Sequence, residues 1–275
     1  MKKAILVALL AIGSTTPARS APPADLELWR LDCGRFVNYD MASLSDDDRY
    51  KGQKRDLADS CYLIRHGSEY MLWDAGLATT ATGFTVGPKL SIVQQIAQIG
   101  VRPEQIKFLG LSHWHPDHIG QATDFARSKL LIGAADWEQL KTPPRWLNTA
   151  PLAPWMTGGS AVETVSRGDP VLSHDKDVFG DGTVVMIKTP GHTPGHHALL
   201  VRLKHKGVVL LSGDLYHQHE SYDYSVVPSE NQDRAATLAS FDRFKRLAVR
   251  YKATVIVPHD MRDIAALPAF PSSAR

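Results

Sequence analysis

The chain has little cysteine: two in 275 residues, Cys33 and Cys61. That excludes a Cys-rich zinc module, so any metal here must be held by histidine and carboxylate. Past residue 20 there is no apolar run long enough to span a bilayer. Neither sign of charge is in excess, with 31 Lys+Arg against 29 Asp+Glu. A chain so balanced has no electrostatic footprint for nucleic acid or for an anionic membrane surface. No internal repeat or low-complexity tract stands out.

What is present starts with "MKKAILVALLAIGSTTPARS". Lys2 and Lys3 precede an apolar run from Ala4 to Ile12, and Ala18-Arg19-Ser20 has small-x-small form. This is the layout of a secretory signal peptide. The expectation is cleavage near Ser20, a mature domain over 21–275, and a periplasmic or secreted destination. Removing residues 1–20 takes away Lys2, Lys3 and Arg19 and no acid. It leaves 28 basic against 29 acidic residues, a net charge of −1. In an exported chain Cys33 and Cys61 could pair as a disulfide. The alternative is two small buried hydrophobes, and Cys61 within "SCYLIRHG", a core-strand pattern, favours the latter.

Strand patterns occupy 26–34 and 61–76, the second turning at His66-Gly67-Ser68. Between them, residues 38–60 form a polar insert without a clear period, suited to covering a surface or a site. Residues 91–100, "SIVQQIAQIG", have helical spacing ending at Gly100. "IKFLGLSH" (106–113) suits a buried strand. "TDFARS" and "AADWEQL" read as short helices around the strand "KLLIG", and residues 141–159 as a loop. Further strands follow at "TVVMIKTP", in a hairpin turning near Lys206-Gly207, and at "ATVIVPHD". Between the last two, about 231–252 forms a helix whose Leu238, Phe241, Phe244, Leu247 and Ala248 share one face. Sheets packed together and covered by helices accommodate this order.

"LSHWHPDHIG" (111–120) places His113, His115, Asp117 and His118 just after a strand. Packing alone has no use for four such side chains in six positions. Histidine with carboxylate suits zinc or a similar first-row ion. Four donors exceed what one tetrahedral site with an open position needs, which implies two metals. The remaining ligands should then follow later strands. His192 in "TPGH", Asp214 in "SGD" and His259 in "VPHD" each stand just past an apolar strand.

His-x-His-x-Asp-His, then Gly-His, Gly-Asp and a final His, in this order, resemble the metallo-β-lactamase superfamily. The resemblance runs from about residue 26 to 260. It implies an α/β fold, a four-layer αβ/βα sandwich with a dinuclear site on one edge. His113, His115 and His192 would hold the first metal, Asp117, His118 and His259 the second, with Asp214 bridging. Two zinc ions are implied, though cobalt, manganese or iron would suit the same donors. The acid at Asp214 is similar to lactonases rather than to the metallo-β-lactamases that share the histidine motif. The 38–60 insert and "CYLIRHGSEYMLWDAG" resemble the quorum-quenching N-acyl homoserine lactonases. In those, such an insert lines the acyl-chain groove and often forms a homodimer contact. The implied activity is opening of a small-molecule acyl lactone by a metal-bridging hydroxide. Asp117 passes the proton to the leaving oxygen. The alternatives are an exported metallo-β-lactamase, or a broad lactonase, aryl-ester or phosphotriester hydrolase on the same metals.

One position departs from the lactonase pattern. Three residues after the bridging Asp, where many of them have a tyrosine, stands His217, with Tyr216 one place early. His217 is the candidate oxyanion donor. His196 and His197 are expected to support the ligands, and His66, His174, His205 and His219 to be solvated. Trp114 and Pro116 shape the ligand loop. Trp146, Trp155 and Met156 either line the substrate site or pack the domain edge.

Overall fold

The computed structural model describes residues 25–166 and 175–275. The expected signal peptide and His174 lie outside them. Twelve strands are present among the described residues: β1 Leu26–Asp40, β2 Lys54–His66, β3 Glu69–Trp73, β4 Thr85–Val86, β5 Ile106–Gly110, β6 Lys129–Gly133, β7 Val162–Val165, β8 Lys176–Asp177, β9 Val184–Lys188, β10 His197–Leu203, β11 Gly207–Leu211 and β12 Thr254–Ile256. The α-helices are α1 Ile92–Ala97, α2 Pro116–Ile119, α3 Ala134–Gln139, α4 Ala153–Met156, α5 His219–Tyr224, α6 Arg234–Tyr251 and α7 Met261–Ile264. One sheet has the order β4-β1-β2-β3-β5-β6-β7, the other β12-β11-β10-β9-β8.

Strand alternation assigns the layers. In β1, Leu26 and Leu28 face the second sheet, while Trp29, Leu31 and Cys33 face the helices outside the first. In β2, Tyr62 and Ile64 face inward and Cys61 and Leu63 outward. In β10, Leu199 and Val201 meet the first sheet, and Ala198 and Leu200 meet α6. The result is helix, sheet, sheet, helix: the expected αβ/βα sandwich.

Local chemistry sets the helix ends. Ser91 and Gln94 form a reciprocal capping box on α1. Asp233 caps α6 by accepting from the Ala236 N–H. Phe241, Phe244 and Ala248 bury the expected face of α6 against the second sheet.

The structure corrects three expectations. Cys33 and Cys61 are joined as a disulfide, with Cα atoms 5.8 Å apart. Both are buried, so the preference for unpaired core cysteines fails. The cause is register: Leu31 lies opposite Cys61, and a bulge between Asp32 and Gly34 keeps Cys33 on that same face. The 38–60 insert is not irregular throughout: β1 and β2 extend into it at both ends, over 38–40 and 54–60, as one long hairpin. Its tip, 41–53, opens with a 3-10 turn, Met41–Leu44, capped by Asp40. His66 is not solvated. It stacks on Phe179 at 4.1 Å and pairs with Asp181 at 2.8 Å.

Candidate metal centre and cavity

The predicted donors follow strand ends that share one edge. β5 leads to His113, His115, Asp117 and His118, β9 to His192, β11 to Asp214 and β12 to His259. Pro116 opens α2, where its fixed φ suits the first helical position. Glycine permits two of the approaches. Gly191, at φ +139°, leaves no room for a Cβ against Thr237. Gly213, at φ +53°, would place a Cβ 2.8 Å from His196 Nε2.

The seven residues form two groups. His113, His115, His192 and Asp214 offer ligand atoms within 4.8 Å of one another, as do Asp117, His118, Asp214 and His259. Asp214 belongs to both. All are buried except His115 and Asp117, which are partly exposed.

Outer contacts orient the rings. His259 Nδ1 lies 2.8 Å from the Ala58 carbonyl, which only accepts, so this nitrogen donates and Nε2 faces the cluster, 3.0 Å from Asp214 Oδ1. His118 Nδ1 lies 3.0 Å from Asp74 Oδ2, and His192 Nδ1 lies 2.8 Å from Asn231 Oδ1. Ser112 Oγ lies 3.0 Å from His113 Nδ1. Inward, His192 Nε2 sits 3.1 Å from His113 Nε2 and 2.9 Å from His115 Nδ1. His118 Nε2 approaches Asp214 Oδ1 at 3.1 Å yet forms no hydrogen bond. Buried lone pairs converging this closely, with a shared carboxylate between them, fit divalent cations and little else.

Electrostatics divide the five histidines into two sets. Burial and neighbouring histidines hold His113 and His192 well below the usual imidazole range, and burial holds His115 at about 4. These three are neutral donors at pH 7. Burial also opposes charge on His118 and His259, but Asp214 and Asp117 outweigh it. They push His118 well up and His259 to about 9. Asp214 stays far below the carboxylate range despite its burial, because His118, His259 and His217 surround it.

A cavity of about 370 Å³ opens over the cluster. Phe36, Tyr39, Leu44, Leu57, Leu77, Phe84 and Trp146 supply its apolar wall. The polar wall includes Asp117, Asp214, His217, Glu230 and His259, and no Lys or Arg lines it among the described residues. The 38–60 hairpin thus covers the site. Ser43 O accepts from Ser229 N, and Asp46 pairs with Arg234, tying the hairpin to the segment before α6 and to the first residue of that helix.

His217 faces this cavity, its Nε2 3.2 Å from Asp214 Oδ2. Tyr216 does not: it is buried and stacked on Phe241 at 4.4 Å. His196 and His197 are buried supports, on Thr189 and on Gly195 and Ser166. His219 is half-exposed and pairs with Asp263 at 2.8 Å rather than being solvated. His205 is exposed. Trp114 is buried beside His115, Trp155 belongs to the core, and Met156 is exposed, so Trp146 alone of this group lines the cavity.

Sequence reasoning missed Asp74, Asn231, Asp136 and Glu230. Asp74 follows β3 and precedes an Ala-Gly pair, the same strand-end signal that revealed the ligands, and its φ of +59° turns it back toward His118. Asp136 accepts from Thr193 Oγ1 at 2.8 Å and Gly195 N at 2.6 Å, clamping the His192 loop. Nothing in "PSENQD" marks Glu230.

Residues 55–258 match the family described as the metallo-beta-lactamase superfamily. The N-acyl homoserine lactonase AttM of Rhizobium radiobacter is 29% identical over 222 residues, covering 72% of this chain and 80% of AttM. An N-acyl homoserine lactonase of a Bacillus species is 28% identical over 239 residues, covering 80% and 88%. Among solved structures, a quorum-quenching N-acyl homoserine lactone lactonase superposes with a TM-score of 0.77 at 22% identity, covering 92% of this chain and 99% of its own. Another, an N-acyl homoserine lactone hydrolase with N-hexanoyl-L-homoserine bound at its catalytic metal centre, gives 0.75 at 20%, covering 92% and 100%.

Proposed function

This chain belongs to the metallo-β-lactamase superfamily, and we propose that it is an exported metal-dependent hydrolase that opens the lactone ring of N-acyl homoserine lactones. The observation that carries the reading is Asp214, a buried acid shared by two ligand groups on the floor of a cavity that no Lys or Arg lines among the described residues. Its relatives of that activity support the substrate class.

His113, His115 and His192 would hold one metal ion and Asp117, His118 and His259 the other, with Asp214 serving both. The donor set suits a zinc pair, with cobalt, manganese or iron acceptable. When bound, such ions acidify water and polarise a carbonyl.

The chain's own groups do the rest. Phe36, Phe84 and Trp146 take the acyl chain and exclude water. His217 Nε2 donates to the oxygen on which negative charge develops as water adds to the lactone carbonyl. Asp117, partly exposed to the cavity, takes the proton that the water gives up. It passes that proton to the ring oxygen as the carbon–oxygen bond breaks, leaving an alcohol and a carboxylic acid, which ionises to a carboxylate and releases its proton to solvent. A β-lactam antibiotic carries a carboxylate, and among the described residues no Lys or Arg lines this cavity to receive it.

The test is proton release by the purified, zinc-loaded mature chain, with short- and long-chain N-acyl homoserine lactones and with nitrocefin in parallel. Fast lactone opening without nitrocefin turnover is the expected result. Nitrocefin turnover alone would make the protein an exported β-lactamase. Export itself is read from the N-terminal residue of the periplasmic or secreted protein, expected near Ala21. A homodimer through the 38–60 hairpin is tested by sedimentation.

A further inference from the structure

We propose that Glu230 is the specificity residue that recognises the amide N–H of the acyl homoserine lactone. The inference rests on the lactonase reading above and deepens it.

Glu230 lies in the segment between α5 and α6, on the cavity wall, with two-fifths of its side chain exposed. It pairs with His217, whose Nε2 is 3.7 Å from Glu230 Oε1. The nearby cation, Arg234, is turned away and bound to Asp46. Glu230 is thus a carboxylate on an apolar-walled cavity, with His217 as an ionisable neighbour and acceptor capacity to spare for a ligand donor.

His217 Nε2 also stands 3.2 Å from Asp214 Oδ2. Asp214 and Glu230 therefore flank the same imidazole, one at the metal-binding floor and one toward the mouth. The substrate has matching chemistry. In an N-acyl homoserine lactone the amide nitrogen is bonded to the carbon next to the reacting carbonyl. With that carbonyl at the Asp214 end, the amide lies toward the Glu230 end, and the acyl chain continues to Phe36, Phe84 and Trp146. The amide N–H is the only conventional hydrogen-bond donor of an unsubstituted acyl homoserine lactone. Among the other polar wall residues, Tyr39 Oη already pairs with Ser43 and Thr85 Oγ1 with the Thr82 carbonyl. Glu230 is the charged acceptor left facing the cavity beyond the metal-binding floor.

The experiment compares kcat/KM for N-hexanoyl homoserine lactone with that for an α-alkyl-γ-butyrolactone of similar length, which carries its chain on the same ring carbon but has no amide. It uses the metal-loaded wild-type chain, Glu230→Leu and Glu230→Gln. Leucine removes the acceptor, whereas glutamine keeps a carbonyl oxygen without the charge. Glu230→Leu is expected to lower the ratio of the two kcat/KM values about tenfold, mainly through KM, the size of a lost hydrogen bond to a charged group. Glu230→Gln should recover part of it. An unchanged ratio in an active Glu230→Leu protein overturns the role of Glu230 while leaving the lactonase reading intact. A wild-type chain that opens neither lactone overturns the lactonase reading, and the role of Glu230 with it.

Discussion

Asp74 Oδ2 lies 3.0 Å from His118 Nδ1, on the side of the imidazole facing away from the cluster. The same carboxylate accepts from the Ser112 N–H through Oδ1 at 2.7 Å. It therefore joins the end of β3 to the ligand loop and fixes which nitrogen of His118 carries the proton.

Asp74→Asn separates these two duties. The amide oxygen keeps the Ser112 contact, while the amide nitrogen donates to His118 Nδ1 and drives the proton to Nε2, removing the inward lone pair. The expected loss is about 10- to 100-fold in metal affinity with little change in fold. Competition with a chromophoric chelator measures the first, and circular dichroism the second.

His115→Ala and Asp214→Ala each remove a predicted ligand, Asp214 from both groups at once. Lactone opening is expected to fall at least about a thousandfold in a protein that stays soluble. Retention of full activity by a metal-free variant would remove the proposed function.

Burial pushes His196 down to about 3 and His197 to about 4. A depressed histidine stays neutral in the folded chain at a pH where the unfolded chain, near 6.5, takes up a proton. The stability it contributes is complete above about pH 6.5 and falls as the pH drops toward 4. Urea unfolding of chelator-treated protein should lose about 2 kcal/mol per histidine between pH 7 and 4.5. A flat profile would contradict their buried, neutral state.

The Cys33–Cys61 bridge spans 28 residues of chain, including the hairpin that covers the site. Denatured protein should show no free thiol. Replacing both cysteines with Ala should cost about 3 kcal/mol in urea unfolding, because the open chain gains entropy when unfolded.

Trp146 is 64% exposed and Phe84 60% exposed, yet both line the cavity. Their surface is available to an acyl chain. Trp146→Ala should lower kcat/KM for a ten-carbon acyl substrate about tenfold and for a four-carbon one much less, in line with the area each chain buries. Equal losses for both would place the acyl chain elsewhere.

The metal-binding constellation was legible in the sequence because every donor follows an apolar strand, and strand ends gather at a sheet edge. The layers were legible because alternation in β1, β2 and β10 separates inner from outer faces. Asp74 was missed although it carries the same strand-end signal. The insert was read as irregular because its polar outer positions hide the hairpin. Its inner positions Tyr39, Leu44 and Leu57, with Phe36 just before it, face the cavity only once β1 and β2 pair.

By itself, the sequence determined the fold class, the family resemblance and the seven side chains of the centre, since spacing and strand order are properties of the chain. Tertiary structure decided what depends on distance between remote segments. It put Cys33 against Cys61 across a bulged register, and His217 in the cavity with Tyr216 in the core. It also placed Glu230 on the cavity wall, where no local pattern could announce it, because a lone carboxylate acquires its surroundings only from remote segments.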